Sequence, residues 1–219
     1  MKPLLKIFFI IAAIFGSTFA IMKISGVLTL NQIEAWLTQA KELSPFYVGG
    51  MVTLLLFADL FIAIPTLTVS ILSGYFLGHM YGAVAALLGV TLAGVSGYLL
   101  SYHYGDKILK FLIKDKEQRN EAVNTFNQHG FVMILLSRAM PILPESSACL
   151  SGISKMPFTK FLTAWLLSAV PYILIATYAG SVSSLDNPKP AIFAAIGITS
   201  FFWLAWYIYH RFNQTKKKG

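Results

Sequence analysis

Four apolar stretches of the chain are each long enough to cross the ~30 Å hydrocarbon core of a bilayer as a helix. They cover residues 4–22, 80–102, 158–180 and 190–209. Hydrophobic residues make up 56% of the chain and charged residues only 12%. So few charged side chains could not cover the apolar surface of a soluble domain. The sequence therefore predicts an all-α polytopic membrane protein.

Two further apolar stretches carry prolines and charged residues that a simple transmembrane helix would exclude. Residues 46–78 contain Asp59 and Pro65, and residues 130–154 contain Arg138, Pro141, Pro144 and Glu145. Broken helices occur at membrane depth only where protein or water receives the freed backbone groups. Both stretches are therefore predicted to be re-entrant hairpins, which enter and leave on the same side of the membrane.

The distribution of lysine and arginine favours this topology. With both hairpins re-entrant and the N-terminus in the cytoplasm, thirteen basic residues face the cytoplasm and three face outside. If both stretches crossed the membrane, the counts would be eight and eight. Cytoplasmic loops carry the excess of basic residues, so we expect an inner (plasma) membrane protein with both termini in the cytoplasm. The same rule accounts for the net charge of +8, and no nucleic acid partner is expected.

The spans and hairpins divide the chain into three parts. Residues 1–29 are predicted to form an N-terminal transmembrane helix, with a cleaved secretory signal as the alternative because small residues lie at 16–20. Residues 30–182 contain both hairpins, at about 46–78 and 130–154. Residues 183–219 are predicted to form a C-terminal transmembrane helix and a basic cytoplasmic tail.

The two hairpins also match each other in sequence. Asp59 stands six residues before Pro65, and Arg138 stands six residues before Pro144. Each hairpin then has a Leu-Ser-Gly sequence, ending at Gly74 and at Gly152, and each is followed by one span. Since one hairpin enters from outside and the other from the cytoplasm, the repeats are inverted. Paired broken segments in inverted repeats indicate the central site of a transporter.

The stretch from Arg138 to Pro144, with Gly152 and Pro157-Phe158 after it, resembles the DedA/VTT superfamily, also called the SNARE-associated Golgi protein family. DedA proper has a second arginine where this chain has Pro144, and a glutamate where it has Asp59. The chain is therefore most similar to the Arg-x-x-Pro-x-x-Pro branch. The resemblance covers residues 30–182, a VTT-like domain. It implies opposed re-entrant hairpins and movement of phospholipids, or of undecaprenyl phosphate, between leaflets.

Arg138 is the most informative single residue. An arginine deep in a bilayer costs at least ~2.5–3.5 kcal/mol on insertion scales, so we expect it to have a use. One interpretation is a bidentate clamp on a lipid phosphate, and the other is a permanent ion pair with Asp59 or Glu145. The two acids either titrate and couple transport to protons or serve as counter-ions, and Glu145 has the further alternative of capping a helix.

The second half of each hairpin is expected to begin after Pro65 and after Pro144, where free backbone N–H groups make an anion site. Hydroxyl residues follow both prolines, and ordinary capping is the alternative explanation for them. The predicted substrate-binding residues are Arg138, Asp59, Glu145, Pro65, Thr66, Pro141, Pro144, Ser146, Ser147, Gly74 and Gly152.

Enzyme motifs are missing from the sequence. It has no His-Glu-x-x-His, no Gly-Lys-Ser/Thr phosphate loop and no Gly-x-Ser-x-Gly, and no cofactor or metal is expected. The predicted function is flippase-like or scramblase-like lipid transport, with or without proton coupling, by a monomer or a homodimer. The alternatives are a transporter of small anions or other solutes that uses the same site, and a non-transporting assembly factor.

The topology can be tested with single cysteines in a Cys149→Ser background. In right-side-out vesicles, we expect Asn187→Cys to react with a membrane-impermeant maleimide. Gln118→Cys should react only after the vesicles are permeabilised, because it lies in the basic loop assigned to the cytoplasm. Reaction of Gln118→Cys in sealed vesicles would contradict the re-entrant topology.

Overall fold

The computed structural model describes residues 30–62, 64–112, 115–139, 143–183 and 189–215, with residues 9, 10, 13, 16, 17 and 20 near the N-terminus. Within these residues the secondary structure is entirely helical, as predicted. The predicted N-terminal helix at 1–29 lies mostly outside the described residues, as does the end of the basic tail at 216–219.

Eight helices follow one another in the part of the chain described from residue 30 onwards. Within this part a 3₁₀ turn, Ser137–Ala139, directly follows the helix that ends at Leu136. The helices are α1 (Leu30–Leu43), α2 (Pro45–Ala58), α3 (Thr66–Leu77), α4 (His79–Leu112), α5 (Lys116–Leu136), α6 (Leu143–Ile153), α7 (Phe158–Ser181) and α8 (Lys189–Thr215).

Two helices of the described chain are long and apolar enough to cross a membrane. They are His79–Gly105 within α4, of 27 residues, and α7, of 24 residues. These helices coincide with the predicted spans 80–102 and 158–180. The apolar part of α8, Lys189–Ala205, is shorter, so the span expected at 190–209 stays a prediction.

Both predicted hairpins contain a helix break. In the first, α2 ends at Ala58 and α3 begins at Thr66, directly after Pro65. Proline cannot donate a backbone hydrogen bond but suits the start of a helix, so the break falls where Pro65 stands. In the second, α5 ends at Leu136 and α6 begins at Leu143.

The helix that leads into the second hairpin begins before residue 130, where the sequence places the start of the hairpin. α5 starts at Lys116, where Asp115 caps it by accepting a hydrogen bond of 2.8 Å from the Glu117 N–H. The helix then continues without interruption through Gly130. Gly130 is buried against Phe126 and Met156, so its small size serves packing.

The helices of the two repeats pack crosswise. The first helix of each hairpin packs against the span of its own repeat, α2 on α4 and α5 on α7. The second helix also packs against the span of the other repeat, α3 on α7 and α6 on α4. Each repeat therefore supplies part of the packing surface of the other, as expected of a duplicated unit.

Glycines allow both crosswise contacts. A methyl group on Gly74 of α3 would overlap the backbone of Thr177 on α7, and one on Gly152 of α6 would overlap the backbone of Tyr98 and Tyr102 on α4. These are the glycines of the two Leu-Ser-Gly sequences. The sequence repeat therefore corresponds to a repeated close approach of helices.

Replacing these glycines should destabilise the protein. We expect Gly74→Ala and Gly152→Ala each to lower stability by about 1–3 kcal/mol, the usual cost of overpacking. Gly50→Ala is the matched control, because no atom lies within 4 Å of the position its methyl group would take. Thermal unfolding in detergent micelles measures the three variants, and equal stability of all three would contradict the packing described here.

Candidate functional site

The two hairpin breaks meet at one small cavity between α4 and α7. Its free volume is about 10 Å³, room for about one water molecule. Both repeats contribute to it, so the breaks that the sequence predicts separately are neighbours in the fold. The lining comprises Leu56, Asp59, Leu60, Thr66, Val90, Ala93, Gly94, Arg138, Pro144, Glu145, Ala148 and Trp165.

Asp59 closes the break of the first hairpin. It is only 6% exposed, and its Oδ1 accepts a hydrogen bond of 2.7 Å from the backbone N–H of Ile64. Its Oδ2 accepts one of 2.6 Å from the hydroxyl of Thr66, the first residue of α3. The carboxyl group thus binds the buried N–H of Ile64 and the hydroxyl of Thr66, which also lies 3.5 Å from the Ile64 carbonyl oxygen.

Arg138 lies in the 3₁₀ turn that breaks the second hairpin. Its guanidinium carbon is 4.8 Å from the ring centre of Tyr172 and 5.5 Å from that of Trp165. Both rings belong to α7 and are seven residues apart, which places them on one face of that helix. Arginine over an aromatic face is stabilised by the ring quadrupole, more so away from water.

Trp165 reaches the cavity because the facing helix has no side chain at Gly94. A methyl group there would collide with the indole ring. The indole is 4% exposed, and its Nε1–H has no hydrogen-bond partner within the described residues. Trp165 therefore brings an unused donor to the cavity that Arg138 lines.

Arg138 forms no ion pair with Asp59 or Glu145 in the described part of the chain. All three line the same cavity, but Asp59 already accepts two hydrogen bonds. One buried carboxylate oxygen of Glu145, Oε2, has no hydrogen-bond partner among the described residues. The site therefore combines a cation with a free donor and a free acceptor, an unusual set for a protein interior.

Of the other predicted residues that the structure describes, Thr66 and Pro144 line the cavity and the rest do not. Pro65 occupies the N-cap position of α3, and Pro141 lies outside the described residues. Ser146 and Ser147 are buried in α6, where the hydroxyl of Ser147 donates to the Pro144 carbonyl at 2.8 Å. The Ser146 hydroxyl has no partner within the described chain.

Gly74 and Gly152 lie at the helix crossings described above, away from the cavity. Sequence reasoning missed both aromatic partners of Arg138. Their spacing of seven residues places Trp165 and Tyr172 on one face of the predicted span, but nothing in it indicates that this face meets Arg138.

The comparisons with known proteins agree with this architecture. The VTT domain family matches residues 64–182, a little over half of the chain, and the chain belongs to this family. The match confirms the resemblance seen in the sequence motif. No solved structure matches the chain significantly.

Three relatives each align with more than two thirds of the chain. Undecaprenyl phosphate transporter A of Bacillus subtilis is 25% identical over 160 residues, 69% of this chain and 76% of the relative. The uncharacterized protein YqeD of the same organism is 28% identical over 179 residues, 73% and 81% of the two chains. The uncharacterized membrane protein slr0232 of Synechocystis is 25% identical over 178 residues, 70% and 80%. With its apolar helices, the chain is a membrane protein, and the relative with a named activity is a transporter and not an enzyme.

The hydrogen bonds of Asp59 predict a graded effect on stability. Asp59→Ala should cost about 1–3 kcal/mol, because it leaves the buried Ile64 N–H without its acceptor and the Thr66 hydroxyl with only its longer bond to the Ile64 carbonyl. Asp59→Asn should cost less, because the amide oxygen can still accept from Ile64. Glu145→Gln should cost least, because one oxygen of Glu145 has no bond to lose. Thermal unfolding measures the order of stability of the three variants. A Glu145→Gln variant less stable than Asp59→Ala would contradict the expected order.

Proposed function

We propose that the protein moves a lipid phosphate between the leaflets of the inner membrane, with the head group passing through the cavity between the hairpin breaks. The observation that supports this proposal most directly is the environment of Arg138. Its guanidinium contacts the rings of Trp165 and Tyr172, and it forms no ion pair with Asp59 or Glu145, which line the same cavity. A phosphate would accept the charge-assisted hydrogen bonds that neither acid accepts from Arg138.

The membrane arrangement in this proposal follows the predicted topology. The hairpin α2–α3 enters from outside and the hairpin α5–α6 from the cytoplasm, so that their breaks meet near the middle of the bilayer. The shared cavity, the crosswise packing and the excess of basic residues in the loops assigned to the cytoplasm support this arrangement.

The cavity must open for a head group to enter. Its 10 Å³ accommodates about one water molecule, and a phosphate group is larger than water. The described conformation is therefore a closed state in the proposed cycle. In an open state the head group would contact Arg138, and the Nε1–H of Trp165 would donate a second hydrogen bond to it.

The two acids take different roles in this proposal. Asp59 keeps its structural bonds to Ile64 and Thr66, while Glu145 has a carboxylate oxygen free to change partners. Glu145 is therefore the acid that we assign to proton coupling and to replacing the phosphate beside Arg138 after the head group leaves. A proton on Glu145 would reduce its competition for the arginine.

An isoprenoid phosphate is the first substrate to test. The support is the 25% identity with undecaprenyl phosphate transporter A. A phospholipid offers the same phosphate chemistry to Arg138 and forms the second arm of the test. A small soluble anion forms the third, because the same cavity could serve such a solute without an opening to lipid.

Proteoliposomes carrying a fluorescent polyprenyl phosphate test the proposal through bleaching by dithionite, which reaches only the outer leaflet. Wild type should accelerate the loss of the inner-leaflet signal. Arg138→Ala should reduce the rate at least about tenfold, because a charge-assisted hydrogen bond contributes ~1.5–3 kcal/mol and each 1.36 kcal/mol is a factor of ten. Arg138→Lys should recover part of the rate, because lysine keeps the positive charge. The recovery should be incomplete, because lysine lacks the planar fork of the guanidinium.

Lys160→Ala is the matched control, because it removes an exposed charge at the start of α7 and leaves the cavity unchanged. Parallel liposomes with a fluorescent phospholipid, and others with radioactive phosphate outside, separate the three substrates. Wild-type activity of a folded Arg138→Ala variant would refute a role of Arg138 in transport. Phosphate uptake without lipid movement would establish the solute transporter instead.

A further inference from the structure

A second, apolar cavity is lined in part by Tyr172, one of the two aromatic residues that contact Arg138. It is a groove of about 290 Å³ between α7 and α8, far larger than the polar cavity. Apolar side chains from both helices line it, among them Pro171, Ile175, Ile198 and Phe202, together with the ring of Tyr172. Such a lining suits hydrocarbon and offers no site for an ion.

Tyr172 connects the groove to the proposed phosphate site. Its ring centre is 4.8 Å from the guanidinium carbon of Arg138 and 6.3 Å from the ring centre of Phe202. The side chain is 8% exposed. The same ring contacts Arg138 and lines the groove, so the proposed phosphate site and the apolar groove are neighbours.

The depth of the groove comes from small residues on α8. Gly197 lies in its wall, and no atom is found within 4 Å of the position that a Cβ would take there. Pro171 also lines the groove, from within α7. Because proline has no backbone N–H, one hydrogen bond of that helix is absent there. A larger side chain at residue 197 would fill the groove without striking a backbone.

We propose that this groove binds the hydrocarbon chain of the same lipid whose phosphate binds at Arg138. The inference rests on the proposed function and adds two points to it. The hydrocarbon chain of the lipid lies in the groove, and the lipid leaves the protein between α7 and α8. A soluble anion would occupy only the polar cavity. An unrelated bilayer lipid, or a second copy of this chain, would occupy only the groove.

The position of the hydrocarbon chain can be tested by photo-cross-linking, with a polyprenyl monophosphate that carries a diazirine in its hydrocarbon chain. After irradiation of the protein in nanodiscs, we expect cross-links on the groove segments of α7 and α8, and their loss in Arg138→Ala. Cross-links at Leu88 and Leu92, which are 55% and 50% exposed on α4, should be unchanged because they report bilayer lipid. Equal groove labelling in both proteins would show an unrelated lipid and overturn the inference.

Gly197→Leu tests the function of the groove. It should slow movement of the polyprenyl phosphate by about tenfold, the effect of losing two buried methylene groups of the bound chain. Gly50→Leu is the matched control, because Gly50 is also exposed with no atom within 4 Å of its Cβ position. Size-exclusion chromatography establishes folding, and Ala194→Leu in the same groove replaces Gly197→Leu if that variant does not fold.

The outcomes separate the two proposals. If wild type moves lipid, Arg138→Ala does not, and a folded groove variant moves it at the wild-type rate, the groove inference falls and the proposed function stands. If wild type moves no lipid, the proposed function fails, and the groove inference falls with it. If Gly197→Leu converts a dimer into a monomer in mass photometry, the groove is an interface between two copies, which also overturns the inference.

Discussion

The fold depends on satisfying the backbone where two helices break inside apolar sequence. A bilayer offers no water to the donors and acceptors that such a break frees, so the protein must provide partners. In the first hairpin this partner is Asp59, whose two carboxylate oxygens bind Ile64 and Thr66. At the second break, Arg138 lies in the 3₁₀ turn, and its guanidinium contacts the rings of Trp165 and Tyr172. Residues from both breaks line the cavity.

The two breaks are alike in sequence and different in chemistry. Asp59 and Arg138 hold equivalent places relative to Pro65 and Pro144, yet Asp59 accepts two hydrogen bonds, whereas Arg138 forms no ion pair among the described residues. In the proposed function, the first break therefore provides a fixed wall, and the second provides the side chain that binds the ligand. This division of roles would give a duplicated unit a single site instead of two.

Sequence reasoning reached much of the fold and a smaller part of the site. The spans at 80–102 and 158–180 and both helix breaks could be predicted, because length, hydropathy and proline act locally. Asp59 and Arg138 could be singled out, because charges are rare in apolar stretches. The full extent of α5 was not predicted, since the hairpin bounds were drawn from apolar residues alone and the helix begins in the charged segment at Lys116.

Trp165 and Tyr172 were missed for a different reason. The side chains that face Arg138 depend on the rotation of α7 about its axis, which the contacts with α3, α5 and α8 determine. The same limit applies to Gly74 and Gly152, which were assigned to the site although they serve helix crossings. A sequence repeat indicates that the same residue type is needed at equivalent positions of both units, but it does not distinguish a role in binding from a role in packing.

The crosswise packing has a consequence for how such a chain could arise. Half of the protein, cut between the repeats, would leave α3 without α7 and α4 without α6. Under the predicted inverted topology, a single unit could complete these surfaces only with a second copy inserted in the opposite orientation. An ancestor with one repeat would thus have needed dual insertion, and fusion of two genes would have made the antiparallel pair permanent within one polypeptide.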